Sequence, residues 1–153
     1  MRWKKIVATA AVMGALSAAL FGASPANASG TVVKAGVPTP YCQTHVFNNA
    51  ANDGALPNQT LWCQFQDGPA EAHGYTGPID GVMGVNSWKG MQTFLQSHGY
   101  TGPIDGVPGT NTYRAMQKWA ADAGHYGGPQ DGVMGVNSWN GVALTVKIQY
   151  FGL

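Results

Sequence analysis

From residue 73 onward the apolar positions keep a rhythm. "HGYTGPIDGVMGVNSW" at 73–88 returns as "HGYTGPIDGVPGTNTY" at 98–113 and as "HYGGPQDGVMGVNSW" at 125–139. The step from Asp80 to Asp105 equals that from Asp105 to Asp131 to within one position. A regular step of this size marks supersecondary units that pack on one another. Within each unit a few lone apolar residues sit among glycine, proline and aspartate, a turn-forming composition. Helical spacing follows: Trp88, Met91, Phe94 and Leu95 in the first unit, and Tyr113, Met116, Trp119 and Ala120 in the second. The pattern predicts a glycine-rich turn, held by Asp80, Asp105 or Asp131, and then a short amphipathic helix. Asn86-Ser87, Asn111-Thr112 and Asn137-Ser138 read as its N-caps. The third unit departs from this. A short helix is expected near 137–144, but Val142, Leu144, Val146, Ile148 and Tyr150 alternate as in a strand, leaving the tail open between the two.

Upstream the pattern changes character. Residues 1–28 combine Arg2, Lys4 and Lys5 with an Ala-rich apolar run and the box Ala26-Asn27-Ala28, the features of a secretory signal peptide. Residues 29–40 read as a linker and 41–73 as an irregular segment closed by a disulfide, with short strand or helix ends at "THVF" and "TLWCQF". Cys42 and Cys63 are the only cysteines, and in an exported chain they are expected to pair. "NQT" at 58–60 fits a glycosylation acceptor, a frequent chance match. The expected organisation is completed by a repeat domain at 74–147 and a tail at 148–153. With the segment 1–28 set aside, five basic side chains remain against seven acidic ones. The chain therefore offers no basic face for nucleic acid, and its sparse charge suits a neutral polar ligand.

Catalytic patterns are weak. Glu71 is the only glutamate, no G-x-S-x-G or H-E-x-x-H occurs, and a threefold array suits binding better than one asymmetric catalytic centre. Calcium needs several carboxylates per loop, and each loop has one. Zinc would draw on His73, His98 and His125, or on His45 with the cysteines, but helix-end histidines more often meet water or the last carbonyls. No metal or cofactor is expected. Trp88, Tyr113 and Trp139 open each apolar stripe and read as core. Tyr75, Tyr100 and Tyr126 precede each turn and divide between core rim and ligand contact.

The run "GYTGPIDGVMGVNSWKGMQTFLQSHGYTGPIDGVPGTNTYRAMQKW", with its D-G-x-x-G turns in register, resembles the peptidoglycan-binding-like domain of bacterial cell-wall proteins over about 74–145. The resemblance implies a mainly α fold, a small three-helix bundle built from the three turn–helix repeats. It also implies noncovalent binding to the glycan or stem peptide of the wall, usually as a targeting module attached to a hydrolase. No other segment here is large enough to be that catalytic partner, so with the export signal and low charge a free-standing secreted monomer that binds the wall without cleaving it is the leading expectation. Candidate contacts are Tyr75, Tyr100, Tyr126, Asn86, Asn111 and Arg114. That family usually carries a helix before its first turn. Only "DGPAEAH" separates Phe65-Gln66 from Gly74, so this helix is expected to be missing or replaced by the third unit. A secreted structural or inhibitory protein that binds another protein is the second reading, and a minimal wall hydrolase the third.

Overall fold

The structure, a computed structural model, describes residues 36–46 and 55–153, all within the unit Thr31–Leu153. The signal-like segment 1–28 and most of the 29–40 linker lie outside the described residues. A short helix α1 (Pro40–His45) begins with proline at its first position, where a missing N–H is no loss. Helix α2 (Gln59–Phe65) is capped by Asn58, whose Oδ1 accepts from the Leu61 N–H at 2.9 Å. It runs on through a π turn, Gln66–Ala70, and a 3-10 turn, Glu71–His73, and closes at Gly74 with φ +92°. The segment expected to be irregular is thus largely helical, and "DGPAEAH" completes the helix that was expected to be absent. The wider π turn takes up Pro69, which has no N–H to give.

Helices α3 (Val85–Leu95, extended by Gln96–His98), α4 (Thr110–Asp122) and α5 (Val136–Val146, extended by Lys147–Phe151) follow the three turns. Their N-caps are Gly84, Gly109 and Gly135, not the asparagines. Asn86, Asn111 and Asn137 are the second helical residues and are exposed, because each helix starts as soon as the last turn glycine has brought the chain in extended. No strand occurs among the described residues, only an isolated bridge between Pro38 and Ile79. The alternation after Val142 is absorbed by helix: Trp139, Val142, Ala143 and Val146 face inward at helical spacing, while Leu144 and Ile148 face water.

The molecule is a small, mainly helical bundle, as the repeat pattern predicts, but α2 joins it as a further copy of the repeat helix. Trp62 precedes Trp88 by the same step that separates Tyr113 from Trp139, and these four side chains close a ring. Around it the centroid distances are 5.8 Å from Trp62 to Trp88, 6.4 Å to Tyr113, 6.1 Å to Trp139 and 5.6 Å back to Trp62. All four contacts are edge-to-face, the arrangement favoured by ring quadrupoles at about 0.5–1.5 kcal/mol per pair. One helical turn on, Phe65, Met91, Met116 and Val142 form a second, fully buried layer. Four helices therefore meet at their N-terminal turns, in chain order, around one core. Cys42 and Cys63 are bonded to each other and tie α1 to α2.

Candidate functional site

Each turn is organised by a glutamine from the helix before it. In the second unit Gln92 is fully buried. Its Oε1 accepts from the Gly106 N–H at 2.7 Å, and its Nε2 lies 2.8 Å from Asp105 Oδ1 and 3.2 Å from the Val107 carbonyl. Asp105 Oδ1 also accepts from the Val107 N–H at 2.8 Å. Gln66 and Gln117 repeat this arrangement on Asp80 and Asp131. The amide of Gln92 and then the Val107 N–H hold the Asp105 carboxyl below its ordinary range; for Asp131 the Val133 N–H leads, followed by Gln117. At the matching place on α5 stands Ala143. The turn composition gave no hint of these glutamines, although each keeps a nearly fixed offset from its aspartate. The intervals Gln66 to Asp80 and Gln117 to Asp131 are one position longer than Gln92 to Asp105. The π turn of α2 and the extra His125 beside Gly124 account for that difference.

The turn docks backward as well. Gly106 has φ +78°, and a Cβ there would collide with the Val85 carbonyl oxygen at the start of α3. Gly81 and Gly132 sit the same way on Gln59 and Thr110. Only glycine combines this backbone with so close an approach.

The tyrosines fold back over their own turns. The Tyr100 ring lies over Gly102 and its phenol donates to the Pro103 carbonyl at 2.6 Å; Tyr75 and Tyr126 do the same to Pro78 and Pro129, at 2.5 and 2.9 Å. Tyr75 and Tyr100 are only 6% and 5% exposed. Their rings belong to the core, so of the two roles left open for these side chains, core rim and ligand contact, Tyr75 and Tyr100 take the former, and burial raises the Tyr75 pKa. The recurring Y-x-G-P phrase is thus the footprint of a ring, the glycine beneath it and the carbonyl that its hydroxyl reaches.

What remains open is a cleft on the outer face of each repeat helix, beside the segment that leads into it. On α3 a cleft of about 410 Å³ is lined by His73, Thr76, Asn86, Lys89, Gly90 and Thr93. On α4 a smaller one, about 140 Å³, is lined by His98, Thr101, Asn111, Arg114, Lys118 and Gln130. On α5 a cleft of about 550 Å³ is lined by His125, Tyr126, Pro129, Asn137, Asn140 and Leu144. Asn86, Asn111 and Asn137 are equivalent in the repeat, as are Lys89, Arg114 and Asn140. Of the expected contacts, Asn86, Asn111 and Arg114 thus come to equivalent places. Tyr75 and Tyr126 back their clefts, and Tyr100 borders a neighbouring groove with Asp105 and Thr110.

Arg114 is held by its own surroundings: Nε donates to the Gln130 carbonyl at 3.2 Å and Nη1 to Asn111 Oδ1 at 3.4 Å. Lys118 pairs with Asp122 at 2.8 Å, and His98 Nδ1 stands 3.8 Å from that carboxylate. Burial against Phe94 and Trp119 outweighs Asp122 and lowers the His98 pKa. The matching face of α2 is covered by the chain itself. Tyr41 and Thr60 hydroxyls bond at 3.0 Å, Cys42 is bonded to Cys63, and Gln64 Nε2 donates to the Val46 carbonyl at 3.1 Å.

Among the described residues no group of three or more His, Cys, Asp or Glu side chains is placed to hold a metal ion, and no helix is long and apolar enough to cross a membrane. Comparison of the chain with protein-family models, with curated proteins and with solved structures returned no match.

Proposed function

We propose that this chain is an exported protein that binds peptidoglycan noncovalently through its repeat clefts and does not cleave it. The observation that carries the reading is the threefold recurrence of one open cleft on a rigid frame. Repetition of a shallow site suits a ligand that is itself periodic, because several weak contacts along one polymer add up to firm attachment. The lining mixes amide, hydroxyl, imidazole and a few cations with a comparable share of apolar surface, from Tyr75, Tyr126, Pro129 and Leu144 among others, which suits a polymer of sugars or amino acids with both polar and apolar faces. The disulfide and the signal-like segment 1–28 support export.

The direct test is co-sedimentation of the disulfide-intact protein, spanning Ser29 to Leu153, with purified peptidoglycan. The expected result is saturable pelleting, with no release of soluble fragments and no loss of turbidity. Protein that stays in the supernatant at all wall concentrations would remove this reading in favour of a protein partner, and falling turbidity would restore the hydrolase.

A further inference from the structure

The face of α2 that corresponds to the three open clefts shows what such a face accepts. There the occupant is a peptide: α1 lies across Thr60, Cys63 and Gln64, the positions of Asn86, Lys89 and Gly90 on α3. Polar side chains of α2 reach its tyrosyl hydroxyl and a backbone carbonyl. The open clefts differ from this covered one, and from each other, in charge. Where α2 has Cys63, α3 has Lys89 and α4 has Arg114, while α5 has Asn140. Lys89 makes no ion pair among the described residues. The Arg114 guanidinium is aimed by Gln130 and Asn111, both neutral hydrogen-bond partners. Asp131 feels its charge, as Asp105 feels that of Lys89, but among the described residues neither carboxylate forms an ion pair with its cation, so both cations keep room for an incoming anion.

We infer that the α3 and α4 clefts bind short peptide segments carrying a free carboxylate, with Lys89 and Arg114 as the carboxylate contacts, and that the α5 cleft lacks this preference. In choosing the stem peptide over the glycan as the wall component, the inference rests on the wall-binding reading; the peptide and carboxylate chemistry does not. A planar guanidinium fixed by two neighbours presents its remaining N–H groups in the geometry a carboxylate matches.

The experiment is calorimetric titration of the disulfide-intact protein with three probes. These are a synthetic stem pentapeptide with free carboxylates, the same peptide fully amidated, and a hexamer of β-1,4-linked N-acetylglucosamine. The free peptide is expected to bind about tenfold more tightly than the amidated one, and this preference should shrink as salt is added. The double variant Lys89→Gln/Arg114→Gln should lose the preference. Asn140→Lys, an exposed change that adds a cation to the α5 cleft, should gain a further carboxylate-dependent site, an outcome that misfolding cannot imitate. Equal binding of free and amidated peptides, or an unaltered preference in the double variant, overturns the inference. So does binding of the glycan hexamer alone. If intact peptidoglycan still pellets the protein in that case, the wall-binding reading survives without it. If carboxylate-dependent peptide binding occurs and walls do not pellet the protein, the inference stands and the wall reading falls.

Discussion

At the scale of single residues, the most consequential side chain of each repeat is a buried glutamine. An amide presents an acceptor and two donors at once, which is what a turn ending in Asp-Gly asks of its neighbour. Gln92 satisfies the Gly106 N–H, the Asp105 carboxylate and the Val107 carbonyl from inside the core. Replacing it with methionine of similar size leaves the buried Gly106 N–H without its partner, and removes a donor from the Asp105 carboxylate and the Val107 carbonyl at the surface. We expect Gln92→Met to cost about 2–4 kcal/mol, read as a lower urea midpoint at unchanged m-value. Asp105→Ala should cost less, because its carboxylate lies at the surface and the glutamine still holds the Gly106 N–H. Tyr100→Phe removes only the phenol's hydrogen bonds, chiefly that to the Pro103 carbonyl, for about 1 kcal/mol. It should leave wall binding unchanged, since its phenol is directed into the protein's own turn.

At the scale of elements, four helices share one aromatic ring, and each contributes through its first turn. Trp88→Ala would therefore disturb two neighbours as well as its own helix. The expected loss is about 3–5 kcal/mol by calorimetry or chemical denaturation, within the range for large-to-small changes in a core. The disulfide acts on a different element pair. Opening Cys42–Cys63 frees α1 from α2 and gives up roughly 3 kcal/mol of constraint on the unfolded chain. The repeat helices keep their own layers, so most of the far-ultraviolet circular dichroism of helix should persist in the Cys42→Ser/Cys63→Ser protein at room temperature. Loss of most of that signal would show that α1 is needed to hold the bundle itself.

At the scale of the whole molecule, the titrating groups set an acid limit to stability. His98 has its pKa lowered in the folded state, chiefly by burial, so folding favours the neutral ring. The stability it contributes is complete above its unfolded value, about 6.5, and declines as pH falls through the lowered folded value. Asp105, Asp122 and Asp131 are also depressed, each by hydrogen bonds to its carboxylate. Their contribution is complete above about 3.9 and is lost on further acidification. Melting temperature should therefore be level from pH 8 to 7, sag gently below about pH 6.5, and fall faster below about pH 4. His98→Asn should remove the first, gentle limb and leave the second. A melting temperature that rises between pH 7 and 5 in the parent protein would reverse the assignment for His98.

Much of this was legible along the chain. The repeat, the glycine-rich turns and the helical stripes after them are local in origin. Glycine, proline and aspartate constrain the backbone where they stand, and a spacing of three and four places side chains on one face whatever packs against it. The pairing of Cys42 with Cys63 was also within reach, since only two cysteines exist. Other features depended on residues far apart. Nothing near Gln92 announces that it will reach Gly106, and nothing in "GYTGP" says that the ring folds over its own glycine. The asparagines had the composition of caps but stand too late in the turn, because the preceding glycine already makes the entry. Helix α2 hid behind a proline that a π turn accommodates. Its place in the bundle became visible when Trp62 met both Trp88 and Trp139, since closing a ring is a property of three dimensions. The clefts, too, arise only when a helix face and the segment leading into it are brought side by side, which no stretch of sequence does alone.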